Sequence, residues 1–211
     1  MLFRSHDESL DLIQKYSKYL KFWCSEPDGG QAHALNKGFV HADGQILAYL
    51  NSDDMLMPGS LKHVALDYIN NHQKHQFWRA YSVENFNDSG SLGIVRPRKL
   101  NSLRRWSDNT AYLHQPGVFW SREIFQAVGG FDQNYSYAFD RKFFASALLK
   151  GYKYTVNRRF VSSRFRLHEN SKTVSVGCVN DLGFATEFDS ISQWIRSSLT
   201  PIDRKSTRLN S

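Results

Sequence analysis

The sequence has little cysteine and no long apolar run, and each shortage excludes a class of protein. Cys24 and Cys178 are its two cysteines, and no CxxC pair occurs, which argues against a disulfide framework or a zinc site and suits a reducing compartment. No run of about 18 apolar residues is present to span a membrane. No apolar segment of the signal-peptide kind follows Met1. We therefore expect a cytoplasmic protein.

The charge balance is basic, but its excess is modest once the end of the chain is set aside. Residues 203–211, DRKSTRLNS, resemble the translation of a sequencing-library adapter, and we expect them to be a non-native tail. They carry three basic residues and one acidic residue, so the formal charge falls from +7 to +5 without them. The basic residues form no stripe, so we expect no nucleic-acid partner. A phosphate ligand or peripheral association with the inner face of a membrane would explain the excess as well.

Apolar periodicity predicts an α/β domain, with 41% hydrophobic and 14% aromatic residues indicating a globular core. Helical spacing predicts helices at 8–19, 31–40, from Pro58 onward, and at 122–128, 141–149 and 181–198. Short apolar runs predict strands at 20–24, 46–50, 77–83, 92–95, 117–120, 152–156 and 160–166, with a hairpin turn at 87–90. No linker divides the chain.

Two adjacent carboxylates, Asp53 and Asp54, follow the predicted strand Ile46–Leu50 and are the most informative feature of the sequence. Open α/β sheets bind ligands beyond the carboxyl ends of their strands. Paired carboxylates there repel each other unless a cation joins them, and Mg²⁺ or Mn²⁺ carrying phosphates is the usual partner. We expect such a site, with Asp54 exposed in its cleft. The alternative is a polar turn whose Asp caps the helix after Pro58.

Several motifs in order give the chain a family resemblance over roughly residues 5 to 173. They are SEPDGGQAHALNKGF at 25–39, GQILAYLNSDD at 44–54, QPGVFWSR at 115–122, GGFD at 129–132 and YAFD at 137–140. Each motif alone is weak, but together they closely resemble the family 2 glycosyltransferases of GT-A fold. The resemblance implies a mixed sheet flanked by helices that binds a nucleotide-diphosphate sugar.

The resemblance also assigns metal and donor residues. Asp53 and Asp54 match the acidic pair that holds a divalent cation, Mg²⁺ or Mn²⁺, on the two phosphates of the donor, with Asp53 also contacting the donor. The family also has a helix segment with characteristic glycine, alanine and asparagine residues, and four positions before the acidic pair match it. These donor-binding candidates are Gly30, Ala34, Asn36 and Gly38. The alternative for Ala34 and Gly38 is ordinary close packing of helix against sheet.

Three further residues are candidates for chemistry. Asp140 resembles the family's general base, which takes the proton of the acceptor hydroxyl during an inverting transfer; capping of the helix at 141–149 is the alternative. His168 resembles a late histidine that lies near the metal in many relatives, although an isolated histidine is more often structural. His114 is a candidate for the acceptor side.

The sequence departs from the family at two places. Relatives carry an acidic or aromatic residue after the base, whereas Arg141 and Lys142 follow here. Relatives also begin with a β-α-β unit of roughly 40 residues that has no counterpart before Ser5. We therefore expect residues 1–202 to be a partial GT-A domain with its first β-α-β missing, and the chain to be a fragment with impaired activity.

The predicted function is transfer of a sugar from a nucleotide-diphosphate donor to a hydroxyl of a saccharide or lipid-linked acceptor, in polysaccharide or glycoconjugate synthesis. Two alternatives stay open, because a fold does not fix an activity. One is a catalytically inactive domain of the same fold that binds nucleotide sugars or serves as a scaffold. The other is a nucleotidyltransferase, which uses similar acidic metal ligands.

Overall fold

A computed structural model describes residues 8–71, 74–168 and 182–199. The expected tail at 203–211 and the start of the chain lie outside these ranges. The helices are α1 Ser9–Tyr16, α2 Gln31–His41, α3 Ser60–Ile69, α4 Leu103–Ser107, α5 Arg122–Val128, α6 Phe139–Leu149 and α7 Leu182–Ser198. The strands are β1 Ile46–Leu47, β2 Met55–Leu56, β3 Trp78–Asn87, β4 Gly90–Val95, β5 Val118–Ser121 and β6 Thr155–Arg166. Short 3₁₀ turns cover Ser17–Tyr19, Lys74–Gln76 and Gln115–Gly117.

These strands form one mixed sheet in the order β1-β5-β3-β6-β2, with β4 paired to β3. The long central strands β3 and β6 run parallel, and the other pairs are antiparallel. The carboxyl ends of β3 and β6 therefore reach the same edge of the sheet. Leu167 N–H donates to Phe86 O at 2.8 Å and extends this pairing past the end of β6.

Alternation along β3 and β5 divides the core between the two faces of the sheet. Trp78 and Trp120 face the larger cluster, which packs against α5, α6 and α7. Tyr81 and Phe119 face a smaller cluster under α3. Helices thus cover both faces, as predicted for an α/β domain. Trp120 and Trp106 are at most 1% exposed and belong to the core.

Most of the predicted elements are confirmed. The structure contains the helix at 31–41, the hairpin of β3 and β4, and the terminal helix from Leu182. Helix α5 ends at Gly129, which has φ 91° and closes the helix in the left-handed conformation that glycine allows. The prediction worked at these places because turn residues bound each apolar pattern.

The predicted strand at 20–24 is wrong. Residues 20–24 carry no strand, and Leu20 and Phe22 are 44% and 41% exposed. A strand is stabilised by a neighbouring strand and a buried face, and within the described residues this segment has neither. Phe22 instead stacks on His41 with ring centroids 3.6 Å apart.

Three boundaries differ from prediction for local reasons. β1 stops at Leu47, because Tyr49 O accepts a hydrogen bond from the side chain of Gln115 at 2.7 Å. The two strands expected between 152 and 166 form one strand, β6, whose register against β3 shifts between Tyr81 and Val83. Helix α6 begins at Phe139 with Ala138 as its N-cap, so Asp140 lies in its first turn and does not cap it.

Candidate active site

The turn after β1 carries the paired carboxylates to the shared edge of β3 and β6. Asp54 is only 7% exposed, which corrects the expectation that it is exposed in a cleft. Its Oδ1 accepts the N–H of Arg166 at 3.1 Å, and its Oδ2 accepts the side-chain amide of Asn51 at 3.2 Å. Burial raises the pKa of Asp54 to about 6, and the nearby charge of Asp53 raises it further. The two hydrogen bonds act in the opposite direction and lower it. Asp54 thus joins the turn to the end of β6.

Asp53 has a different environment from its neighbour. Its Oδ2 lies 3.0 Å from Nε2 of His168, which follows β6. The two side chains are 32% and 36% exposed, so both present polar atoms to solvent. The structure therefore brings together two residues that are 115 positions apart and were both predicted as metal ligands.

This pair fits a divalent cation shared with a substrate better than a cation held by protein alone. In the described part of the chain, no group of three or more His, Cys, Asp and Glu side chains could hold a metal ion. Mg²⁺ typically takes one or two carboxylates and completes its shell with water and substrate phosphates. The carboxylate oxygen of Asp53 suits Mg²⁺ or Mn²⁺ in that arrangement, with His168 beside it.

The predicted donor-binding residues at the start of α2 and along it lie in different surroundings, and only Gly30 adjoins the acidic turn. The N-cap of α2 is Gly30, with φ 109°, and the side chain of Gln31 donates to Asn51 Oδ1 at 2.9 Å. The positive end of α2 therefore adjoins the acidic turn, where an anionic group is favoured. Ala34 is 4% exposed and belongs to the buried face of the helix.

Asn36 and Gly38 lie further along α2 and have other neighbours. The Asn36 amide donates to Phe131 O at 2.8 Å and accepts from Phe131 N–H at 2.9 Å, which ties α2 to the turn after α5. A side chain at Gly130 would approach Asn36 Oδ1 to 2.8 Å, so glycine is required beside this contact. Gly38 lines a surface groove with Phe22 and His41.

Asp140 lies in the first turn of α6, half-buried. Burial raises its pKa to about 6, while the N–H and guanidinium of Arg141 act in the opposite direction. Its Oδ1 accepts the Arg141 N–H at 2.6 Å. A carboxylate with a pKa near neutrality can exchange a proton at physiological pH, as a general base requires.

Glu187 of α7 fixes the approach to this helix. Its carboxylate accepts three consecutive backbone N–H groups, from Ser136 at 2.7 Å and from Tyr137 and Ala138 at 2.8 Å each. These donors precede the first turn of α6 and would otherwise lack helix partners. Glu187 therefore acts as a cap supplied by another element. Sequence reasoning missed it, since it is 49 to 51 positions from its partners.

Arg141, one departure from the family pattern, holds the chain around α4 with its guanidinium. Its guanidinium donates to Ala111 O at 3.1 Å, to Asn109 Oδ1 at 2.6 Å and to Trp106 O. It also lies 4.7 Å from the centre of the Phe188 ring. Arg141 thus ties α4 and the segment after it to helix α6.

The acidic turn and Asp140 adjoin two tyrosines that sequence reasoning missed. Tyr49 precedes the turn, and its ring centroid lies 6.1 Å from that of Phe139, the residue before Asp140. Desolvation of the hydroxyl raises the pKa of Tyr49 and also of Tyr112, although Tyr112 as a whole residue is 56% exposed. The charges of Asp140 and Asp54 raise both pKa values further. Tyr112 and Asp140 also line one small cavity between α4, α6 and α7. A possible sequence signal for Tyr112 was its position two residues before the candidate His114.

The geometry can be set beside known proteins at this point. The family model described as "Glycosyl transferase family 2" matches residues 4–129, more than half of the chain. The chain belongs to glycosyl transferase family 2. Among curated proteins, the uncharacterized glycosyltransferases Rv1514c and MT1564, from two strains of Mycobacterium tuberculosis, are each 27% identical over 128 residues. The match covers 61% of this chain and 48% of each relative, so the chain spans about half their length.

Solved structures confirm the GT-A fold for this family 2 member. TarS residues 1–349 from S. aureus, crystallised with UDP-GlcNAc, aligns with a TM-score of 0.61 at 18% identity, over 92% of this chain and 60% of that one. The mannosyltransferase PcManGT from Pyrobaculum calidifontis, in complex with GDP-Man and Mn²⁺, aligns with a TM-score of 0.53 at 19% identity, over 79% of this chain and 46% of that one.

Within residues 8–71, 74–168 and 182–199 of this family 2 chain, no helix is both long enough and apolar enough to cross a bilayer. The predicted position of the protein at the inner face of a membrane stays a prediction.

Proposed function

We propose that the protein transfers a sugar, with inversion, from a nucleotide-diphosphate donor to a hydroxyl of an acceptor. The observation that carries this proposal is the convergence of the acidic turn and Asp140 around Tyr49 and Tyr112. It gives one site both a region for the diphosphate and a carboxylate for the acceptor. Membership of glycosyl transferase family 2 supports the reaction class, and the UDP-GlcNAc and GDP-Man in similar structures support the donor class.

On the acceptor side, Asp140 would hold the proton that leaves the attacking hydroxyl. Its pKa of about 6 leaves it mostly ionised at pH 7 and able to accept that proton. Glu187 would keep the carboxylate in place through the backbone before α6. Attack from this side on the anomeric carbon, with the leaving group on the other side, would invert the configuration.

On the donor side, Asp53 and His168 would hold a divalent cation, and the start of α2 at Gly30 would face the diphosphate. The chemistry that Mg²⁺ or Mn²⁺ supplies when bound is neutralisation of the charge on the departing nucleoside diphosphate. Asp54 would keep Asp53 and His168 together by joining the turn to the end of β6.

The acceptor class follows from the same chemistry, since Asp140 needs a hydroxyl and a saccharide or lipid-linked sugar presents one. We propose a role in polysaccharide or glycoconjugate synthesis on the cytoplasmic side of the membrane. Exposed basic residues before and within α4 would favour an anionic membrane surface nearby. They are Arg96, Arg98, Lys99, Arg104 and Arg105.

The test incubates the full chain with Mn²⁺ and either UDP-GlcNAc, UDP-glucose or GDP-mannose, with water or a simple sugar as acceptor. We expect release of the sugar and a nucleoside diphosphate, and a product of inverted anomeric configuration by NMR. Pyrophosphate release instead would identify a nucleotidyltransferase. Donor binding without turnover would identify an inactive binding domain, and either result would overturn the proposal.

A further inference from the structure

Tyr112, His114 and Asn85 form a hydrogen-bonded chain at the edge of the candidate site. The hydroxyl of Tyr112 lies 2.8 Å from His114 Nδ1, and His114 Nε2 lies 2.8 Å from Asn85 Oδ1. An amide oxygen can only accept, so His114 Nε2 must carry the proton of that bond. Burial lowers the pKa of His114 to about 4, so its ring is neutral at pH 7 and Nδ1 accepts.

The direction of this chain determines what Tyr112 can do next. Since Nδ1 of His114 accepts, the hydroxyl of Tyr112 must donate its single proton to it. The phenolic oxygen then keeps its lone pairs for another donor, and it has no proton left to give. Tyr112 is therefore set to accept a hydrogen bond from a ligand hydroxyl.

The chain is anchored where the sheet presents the site. Asn85 of β3 and Phe165 of β6 are partners in the parallel register. The His114 ring meets the Phe165 ring edge to face with centroids 4.7 Å apart. Two neighbouring strands thus fix His114, and His114 fixes the hydroxyl of Tyr112, so the acceptor atom is preorganised.

Tyr112 itself remains accessible. The residue is 56% exposed, and it lines the small cavity that Asp140 also lines. Because Tyr112 shares this cavity with Asp140 and the charge of Asp54 also raises its pKa, we place Tyr112 between Asp140 and the acidic turn. In a glycosyl transfer the sugar being moved occupies that interval, because its anomeric carbon joins the diphosphate to the attacking hydroxyl.

We propose that Tyr112 contacts the transferred sugar of the donor and helps to select it. The phenol ring packs against the sugar and its oxygen accepts a bond from one sugar hydroxyl, while His114 and Asn85 act as positioning residues. This inference rests on the proposed function and adds to it a residue for sugar recognition.

The experiment compares nucleotide with nucleotide sugar. The full chain is titrated by calorimetry, in Mn²⁺, with UDP, UDP-GlcNAc, UDP-glucose, GDP and GDP-mannose. Tyr112→Phe removes the hydroxyl, and Tyr112→Ala also removes the ring. We expect Tyr112→Phe to weaken nucleotide-sugar binding about three- to tenfold, the value of one hydrogen bond, and Tyr112→Ala to weaken it further. Binding of the free nucleotide should not change.

A matched control is Tyr81→Phe. It removes the hydroxyl of a tyrosine on β3, which bonds Asp67 Oδ2 at 2.7 Å on the α3 side of the sheet. We expect no change in the ratio of nucleotide-sugar to nucleotide affinity. Thermal melts of all three variants verify folding, and exposed Tyr112 should tolerate both changes.

Two results separate the inference from the function on which it rests. If wild type binds nucleotide sugars but Tyr112→Ala binds them equally well, or loses UDP affinity to the same extent, the role of Tyr112 is wrong while the proposed function stands. If wild type binds none of the five nucleotides, the proposed function and the inference fall together. ¹⁵N NMR at pH 7 adds a check without ligand, since a protonated or Nδ1–H ring at His114 would contradict the direction of the chain.

Discussion

Asp54 and Asp140 share one electrostatic property and differ in almost every contact. Burial raises the pKa of each to about 6. Asp54 uses both carboxylate oxygens on groups of the protein, Arg166 N–H and the Asn51 amide. Asp140 makes one side-chain hydrogen bond within the described residues, to the N–H of Arg141 beside it.

A raised pKa therefore does not by itself identify a catalytic group. Both carboxylates are crowded by protein, but the oxygens of Asp54 are committed to joining two segments. Asp140 keeps an oxygen for a partner from outside, and Glu187 and Arg141 fix its surroundings without occupying it. We therefore expect substitution at Asp140 to act on turnover, and substitution at Asp54 to act first on the fold.

The largest expected effect is at Asp140. Asp140→Asn should lower kcat by about 10² or more, the loss typical of a missing general base, with donor affinity unchanged. Steady-state kinetics and calorimetry with the donor would measure the two quantities. Asp132→Asn is the matched control, because among the described contacts the carboxylate of Asp132 bonds only Asn134 in its own turn. Full turnover in Asp140→Asn would show that Asp140 is not the general base.

The next effect separates the two members of the acidic pair. Asp53→Asn should weaken Mn²⁺-dependent binding of UDP or GDP about tenfold or more and leave the melting temperature unchanged, since Asp53 is one-third exposed. Asp54→Ala should lower the free energy of unfolding by roughly 1–3 kcal/mol, because the Arg166 N–H loses its acceptor. Calorimetric titration and denaturant unfolding test both. The reverse pattern would make Asp54 the ligand and Asp53 the structural residue.

A smaller effect is expected from the cap on α6. Glu187→Ala leaves three backbone N–H groups without their acceptor and should cost roughly 1–3 kcal/mol of stability. It should also lower kcat, by less than Asp140→Asn does, since the carboxylate would lose its fixed position. Asp189→Asn, at an exposed site on the same helix, is the control. An unchanged melting temperature in Glu187→Ala would show that water replaces the carboxylate at no cost.

The smallest effect is a dependence of stability on pH. The folded pKa of Asp140, about 6, lies above its ordinary value of 3.8, so the folded state binds this proton more tightly than the unfolded state. The associated stability is present in full below pH 3.8 and is lost as pH rises through about 6. The melting temperature of wild type should therefore fall relative to that of Asp140→Asn between pH 4 and 7. Parallel curves for the two proteins would contradict the raised pKa.

Local patterns predicted the elements but not the contacts that complete the site. The strand before Asp53 and Asp54, the helix after Gly30 and the hairpin at 87–90 follow from periodicity and turn residues within short windows. The family resemblance added Asp140 and His168 as candidates. The 115-residue separation of Asp53 and His168 has no local signal, and their meeting depends on the antiparallel pairing of β2, which follows Asp54, with β6.

The remaining misses have the same physical origin. Glu187 looks like any surface acid on an amphipathic helix until α7 packs beside α6. Tyr112 looks like a loop aromatic until His114 reaches Asn85. The strand predicted at 20–24 fails for the converse reason, because the segment pairs with no strand within the described residues.

Arg141 has a consequence for how this part of the molecule opens. Its guanidinium holds carbonyl groups from the segment at 106–111 and faces the Phe188 ring of α7. If helix α6 moved away, the guanidinium of Arg141 would lose these hydrogen bonds and its contact with the Phe188 ring at the same time. Amide exchange should therefore find α6, the 106–111 segment and α7 opening together as one cooperative unit. Asp140 belongs to this unit, so fraying of a single element should leave its carboxylate in place.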